Sequence, residues 1–240
     1  MRRGIFARRG RSAVFSAAIA TALLVASARP AAADTIVTFT TNLGAFDVQL
    51  YDSQVPTTVA NFLNYVNAGR YDSTIIHRST TYNPKDIQIF QGGGFALAGS
   101  SLDYVQPFAP IALDASLPNL RGTIAMARLA APNSATSQWF FNVTDNPGLD
   151  PALGNDGYAV FGNVIGSGMN VVDAIAAVKV YNASTQLGAA FSELPLLNPA
   201  LTTDNLVMVS SVAVPEPSTL VLALAGLCGF ASCRRWPRLA

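Results

Sequence analysis

Residues 35–51, TIVTFTTNLGAFDVQLY, alternate apolar and polar side chains, break at Thr41-Asn42-Leu43-Gly44, then alternate again with Phe46, Val48 and Leu50 on one face. A period of two sends successive side chains to opposite faces of a strand, so this stretch is expected to fold as a β-hairpin with one buried side. A helix should follow. Asp52-Ser53 is placed to cap it, Pro56 falls near its first turn, Val59, Phe62, Leu63 and Val66 recur at helical spacing, and Gly69 stops it. Short strands are expected at residues 74–77, 87–90, 123–128, 139–143 and 158–164, set apart by glycine and proline loops. A second helix fits residues 169–178, with Val172, Ile175 and Ala176 facing inward, and a last strand fits 206–212. Residues 181–205 have no clear period and are expected to form a long loop. Strands and helices do not alternate, which argues against a doubly wound sheet and for an antiparallel barrel or sandwich with two helices.

The two ends have a different character. Arg2, Arg3, Arg8, Arg9 and Arg11 precede an apolar run of small residues at 13–28, and Ala31-Ala32-Ala33 precedes Asp34. A basic start, a short apolar stretch and an A-x-A site make a secretory signal peptide over residues 1–33. The run falls short of the ~20 residues that span a bilayer. At the other end, Val214-Pro215-Glu216-Pro217-Ser218 leads into an apolar stretch at 219–232, closed by Arg234, Arg235 and Arg238. That order resembles a PEP-CTERM sorting signal, a removable tail over 214–240. The resemblance implies an exosortase-like processing enzyme as partner and a Gram-negative host. It also implies only transient contact with the membrane, and a destination in the periplasm, cell envelope or extracellular matrix.

Removing both ends changes the charge. Nine of the fifteen basic residues lie in them, and between Asp34 and Val214 six bases face thirteen acids. An acidic domain is a poor partner for nucleic acid or anionic lipid, which select basic patches. Both cysteines, Cys228 and Cys233, sit in the tail. The remaining domain, 34–213, therefore has no thiolate chemistry and no disulfide. His77 is the single histidine, which excludes a histidine-rich metal site. A Ser-His-Asp hydrolase would have to use it, but within Thr74-Ile75-Ile76-His77 it reads as a packed, hydrogen-bonded strand residue. Gly92-Gly93-Gly94 is followed by neither Gly-Lys-Ser/Thr nor a helix, so it marks close backbone passage rather than a phosphate loop.

Four blocks carry a resemblance. They are Ile76-His77-Arg78, then FQGGGF at 90–95, then RGTIAMAR at 121–128 with NSATSQWFFNV at 133–143, and finally GYAVFGNV at 157–164 before Gly168-Met169. Together, in order and in register, they resemble the cyclophilin-type peptidyl-prolyl cis-trans isomerases. The resemblance implies an eight-stranded antiparallel β-barrel capped by two α-helices. A barrel that small is filled by its own side chains, so the substrate groove must lie on an outer face. The family's chemistry makes and breaks no bond, so it implies no cofactor and no metal, and proline-containing polypeptides as partners of a monomer. Arg78 matches the arginine that stabilises the twisted prolyl amide, and Gln91 the glutamine that orients it. Phe140 matches the floor of the proline pocket, Ile89 and Leu149 its walls, and Gln138 its neighbour in the groove. Ala127 and Arg128 fall on the edge that pairs with substrate main chain, and Arg128 is expected to act through its backbone. Tyr158 stands where animal members have a pocket histidine.

The chain also departs from the family pattern. Twelve residues, STTYNPKDIQIF, separate Arg78 from Gln91, a longer stretch than usual. The position before the wall residue, apolar in the family, is Gln88. The aromatic before Leu-Asp, which in animal members touches the inhibitor cyclosporin, is Gly148. Two functions follow from these residues: an isomerase assisting the folding of exported proteins, or a module that grips proline segments with little turnover. A structural role in an extracellular matrix would rest on the tail alone.

Overall fold

A computed structural model describes residues 34–80, 87–152 and 154–215. The expected signal peptide, nearly all of the expected sorting tail and half of the long stretch after Arg78 lie outside these residues. The hairpin is as expected: β1 (Ile36–Thr41) and β2 (Gly44–Leu50) pair with Phe39 opposite Phe46 and Val37 opposite Val48, all four buried. The helix α1 (Pro56–Asn67) begins on its proline, which costs nothing there because the first N–H of a helix has no partner. No side chain caps it. Asp52, expected as a cap, instead accepts hydrogen bonds from the Thr35 backbone N–H and hydroxyl and so pins the start of β1.

The chain continues through β3 (Thr74–Ile75), β4 (Arg78–Ser79), β5 (Ile89–Gly92), β6 (Phe95–Ala98), β7 (Ser101–Tyr104), β8 (Thr123–Met126), β9 (Trp139–Asn142) and β10 (Val160–Val164). After α2 (Met169–Ala176) come β11 (Val180–Tyr181), α3 (Ser184–Leu187), β12 (Leu194–Pro195) and β13 (Met208–Ala213). Eleven strands form one sheet in the order β4-β5-β9-β8-β10-β2-β1-β13-β3-β6-β7, and every pairing is antiparallel. β4 opens that order and β3 stands near its other end, yet only Ile76 and His77 separate them in sequence. Ile76 N–H donates to Val207 O and His77 N–H to Gln91 O, so adjacent residues bond to opposite ends of the sheet. The sheet therefore curls back on itself.

The fold is mainly β, as expected, but it differs in detail from eight strands and two helices. The large sheet has eleven segments, β11 and β12 form a separate two-stranded sheet, and there are three α-helices among the described residues. The β6–β7 hairpin went unforeseen because its strands are half-exposed and lack a clean alternation. Residues 181–205 are not a featureless loop. They carry α3 and β12, and Phe191, Leu194, Leu196 and Ala183 join Ile75, Phe95 and Leu206 in a buried cluster of their own.

The main core lies inside the curl. Phe39 stacks on Phe46 at 5.2 Å and meets Trp139 and Phe141 edge-on at 5.2 and 5.3 Å. Such edge-to-face pairs add to the free energy of burial. Trp139 also explains the glycine run. A Cβ on Gly92 would lie 2.6 Å from its ring, and one on Gly93 would lie 2.7 Å from Ser137 O, where φ is also +73°. Close passage is what these glycines permit.

Candidate active site

β9 presents aromatic side chains to both sides. Trp139 and Phe141 enter the core, while Phe140 points outward into a second apolar cluster with Ile89, Ala125, Leu149 and Val160. Ladder register then lines up a row across the outer face. Arg78 pairs with Gln91, Gln91 with Phe140, Phe140 with Ala125, and Ala125 with Val160. Residues directly opposite in antiparallel strands point to the same face with Cβ atoms ≈ 4.5–5.5 Å apart. A guanidinium, an amide and a phenyl ring are thus neighbours by register.

This row borders a cavity of about 270 Å³. Eight of the nine expected site residues line it: Arg78, Ile89, Gln91, Ala127, Arg128, Phe140, Leu149 and Tyr158. Gln138 does not line it but accepts a 2.7 Å hydrogen bond from the Gln91 amide at its Oε1. Gln91 is thereby fixed between two neighbours. Phe140 is only 2% exposed, and the Tyr158 ring stands perpendicular to it at 5.5 Å. The walls are apolar and the rim is cationic. A larger groove of about 470 Å³ beside β6 and β7 is apolar and offers Tyr104 as its single titratable group.

Two cavity residues were missed. Thr80 and Ile87 complete the lining on the side where Gln88 replaces an apolar residue. Gln88 itself is tied down by Asn146, whose side chain accepts from Gln88 N–H and donates to Gln88 O. Its neighbour Ile87 lines the cavity, and no sequence period announced it. At Gly148 the space is real, since a Cβ there would meet nothing nearer than Ile87 Cδ1 at 3.9 Å. Arg128 also differs from expectation. Its side chain, not only its backbone, lines the site: Nε donates to Gly157 O at 2.9 Å and the guanidinium lies 4.8 Å from the Tyr158 ring centre.

Arg78 is held from below. Its Nε donates to Glu193 Oε2 at 2.7 Å, with the arginine side chain 41% exposed and the glutamate 21%. His77, beside it, is buried and faces the rings of Phe95 at 5.0 Å and Phe191 at 6.4 Å. Burial lowers its pKa to about 4, the Arg78 charge adds to that, and a hydrogen bond with the Gln138 side chain opposes it. His77 is packed, as expected, but its Nδ1 has no hydrogen-bond partner. The imidazole is enclosed and is not among the residues that line the cavity. Among the described residues no group of His, Cys, Asp or Glu is arranged to hold a metal ion.

The outer face of this curled antiparallel sheet thus carries a cavity with apolar walls and the Arg78 guanidinium at its edge. Comparison with known proteins makes this specific. Residues 36–189 match the family described as cyclophilin type peptidyl-prolyl cis-trans isomerase/CLD, and residues 213–235 match the PEP-CTERM protein-sorting motif. A peptidyl-prolyl cis-trans isomerase of Acinetobacter baylyi is 45% identical over 150 residues, covering 62% of this chain and 75% of that one. Peptidyl-prolyl cis-trans isomerase A of Dickeya dadantii is 41% identical over 169 residues, 69% of this chain and 85% of that one. A solved cyclophilin-type isomerase from Cryptosporidium parvum shares the fold with a TM-score of 0.53 at 22% identity, over 75% of this chain and 99% of that one. The chain belongs to the cyclophilin-type peptidyl-prolyl cis-trans isomerases and carries a PEP-CTERM motif. Its substrates are proline-containing polypeptides.

Proposed function

We propose that residues 34–213 are the isomerase domain of an exported protein that assists the folding of other exported chains, with Arg78 acting on the twisted prolyl amide. The supporting observation is the row Arg78–Gln91–Phe140 on the wall of one cavity. An X-Pro bond resists rotation with a barrier of ~18–20 kcal/mol because the nitrogen lone pair is delocalised into the carbonyl. Twisting the bond localises that pair, and the nitrogen becomes pyramidal and basic. The proline ring sits on Phe140 between Ile89 and Leu149, which fixes one side of the bond. A guanidinium N–H then donates to the prolyl nitrogen only when the amide is twisted. An interaction made only in the transition state is the kind that accelerates. At ~1.5–3 kcal/mol for a charged hydrogen bond, it supplies about ten- to a few hundred-fold. Gln91, braced by Gln138, holds the peptide backbone, and the edge at Ala127 and Arg128 pairs with it.

The competing reading is a binding module with little turnover, favoured by the open space at Gly148. Isomerisation of a proline tetrapeptide by the domain, with and without EDTA, separates the two. Catalysis that survives EDTA is expected. Binding without catalysis, or catalysis abolished by EDTA and restored by a metal ion, would reject the mechanism. The sorting motif supports removal of the tail by an exosortase-like enzyme, transient membrane contact and a destination in the periplasm, envelope or extracellular matrix of a Gram-negative bacterium; we take the released domain to be a monomer. Mass spectrometry of the protein recovered from cells should find a start near Asp34 and no tail beyond the Pro-Glu-Pro region. A chain intact through Ala240 would contradict this.

A further inference from the structure

We infer that Glu193 is a positioning residue for Arg78, an inference that rests on the catalytic reading of Arg78 above. Glu193 lies beyond residues 36–189, the span that matches the family. It reaches the site from a segment with no sequence period, and it grips β4 twice. Its carboxylate accepts from Arg78 Nε at 2.7 Å, and its backbone carbonyl accepts from Ser79 N–H at 2.8 Å. The residues around it are anchored. Phe191 packs on Phe95 with ring centres 4.5 Å apart, Leu194 is fully buried, and β12 pairs with β11. The carboxylate therefore belongs to a braced element.

The choice of nitrogen matters. A guanidinium is a planar fork. A carboxylate on Nε holds the plane of the fork while the terminal nitrogens Nη1 and Nη2 stay outside that bond, on a residue that lines the cavity. An arginine side chain 41% exposed would otherwise sample many rotamers. Holding it near the working one keeps the donor in place before the amide twists, which is preorganisation of a transition-state contact. Such a contribution should appear in kcat more than in KM.

Four variants of the full chain test this, namely Glu193→Ala, Glu193→Gln, Arg78→Ala and the Arg78→Ala/Glu193→Ala double variant, each measured for kcat, KM and thermal melting. Glu193→Ala should lower kcat about five- to twentyfold with KM changed less than twofold. Glu193→Gln keeps an acceptor for Nε and should stay within about threefold of the parent. In the Arg78→Ala background, removing Glu193 should change kcat by less than twofold. Parent-like kcat in Glu193→Ala, while Arg78→Ala is strongly impaired, would overturn the positioning role alone. So would an equal loss in both backgrounds, which marks a merely structural effect. Higher activity in both Glu193 variants would also overturn it, since the carboxylate would then only be damping the charge. Undiminished turnover in Arg78→Ala would overturn the catalytic reading together with this one.

Discussion

The outer face of the sheet and the segment from 180 to 206 position parts of the same site by different means. On the sheet, ladder register alone places Arg78, Gln91 and Phe140 side by side. In the segment, regular pairing is confined to two-residue β11 and β12, and placement comes from a buried cluster around Phe191 and Leu194. Register is a property of strands and survives the loss of one side chain. A small cluster depends on each member. The lesson is that one end of the Arg78 side chain is set by backbone pairing and the other by packing.

The sharpest way to break this contrast is to empty the cluster. Phe191→Ala removes a 3% exposed ring, and truncating a buried aromatic costs about 3–5 kcal/mol. Chemical denaturation should show a loss of that size together with reduced turnover. A neutral effect on both would mean the segment is not braced as described. Next comes His77, whose pKa falls from 6.5 unfolded to about 4 folded. The unfolded chain takes up its proton first as pH drops. The stability from keeping this ring neutral is complete above pH 6.5 and lost between about 6.5 and 4, by about 3 kcal/mol in all. In His77→Phe that part of the pH dependence should vanish, which paired denaturation curves at pH 7 and pH 4 would reveal.

Arg78→Ala acts on the register side of the comparison. It should lower kcat/KM about ten- to a few hundred-fold and leave the melting temperature almost unchanged, since the residue is partly exposed and its partner stays anchored. A matching loss of stability would contradict the separation of roles. The smallest effect concerns Gly148, where nothing lies closer than 3.9 Å to the position a Cβ would take. Weak inhibition by cyclosporin is expected, and Gly148→Trp should tighten it about tenfold, worth ~1.4 kcal/mol. Tight inhibition of the parent with no gain in the variant would show that Ile87 already fills the space.

Which parts of this were legible in sequence follows from the same physics. The hairpin of β1 and β2 was readable because one face is buried and the other is wet, so Val37, Phe39, Phe46 and Val48 alternate cleanly. Phe140 was readable because three consecutive aromatics on one strand cannot share a face. Eight cavity-lining residues were found through motif resemblance, because the central blocks carry chemistry and register together. Thr80 and Ile87 were missed because no period marks them: a hydrogen bond from the Thr80 hydroxyl to Ile87 O joins them across the stretch that departs from the family pattern. Glu193 was missed for a similar reason. Its neighbours are two-residue strands and short helices, too brief to show a period, and its partner Arg78 is 115 positions distant.

The measurement that bears most directly on the central claim is the isomerisation rate of a proline tetrapeptide with residues 34–213, alongside a binding titration of the same peptide. The rate should rise in proportion to domain concentration and fall at least tenfold in Arg78→Ala, while peptide affinity changes little. Saturable binding with no acceleration of isomerisation would contradict it.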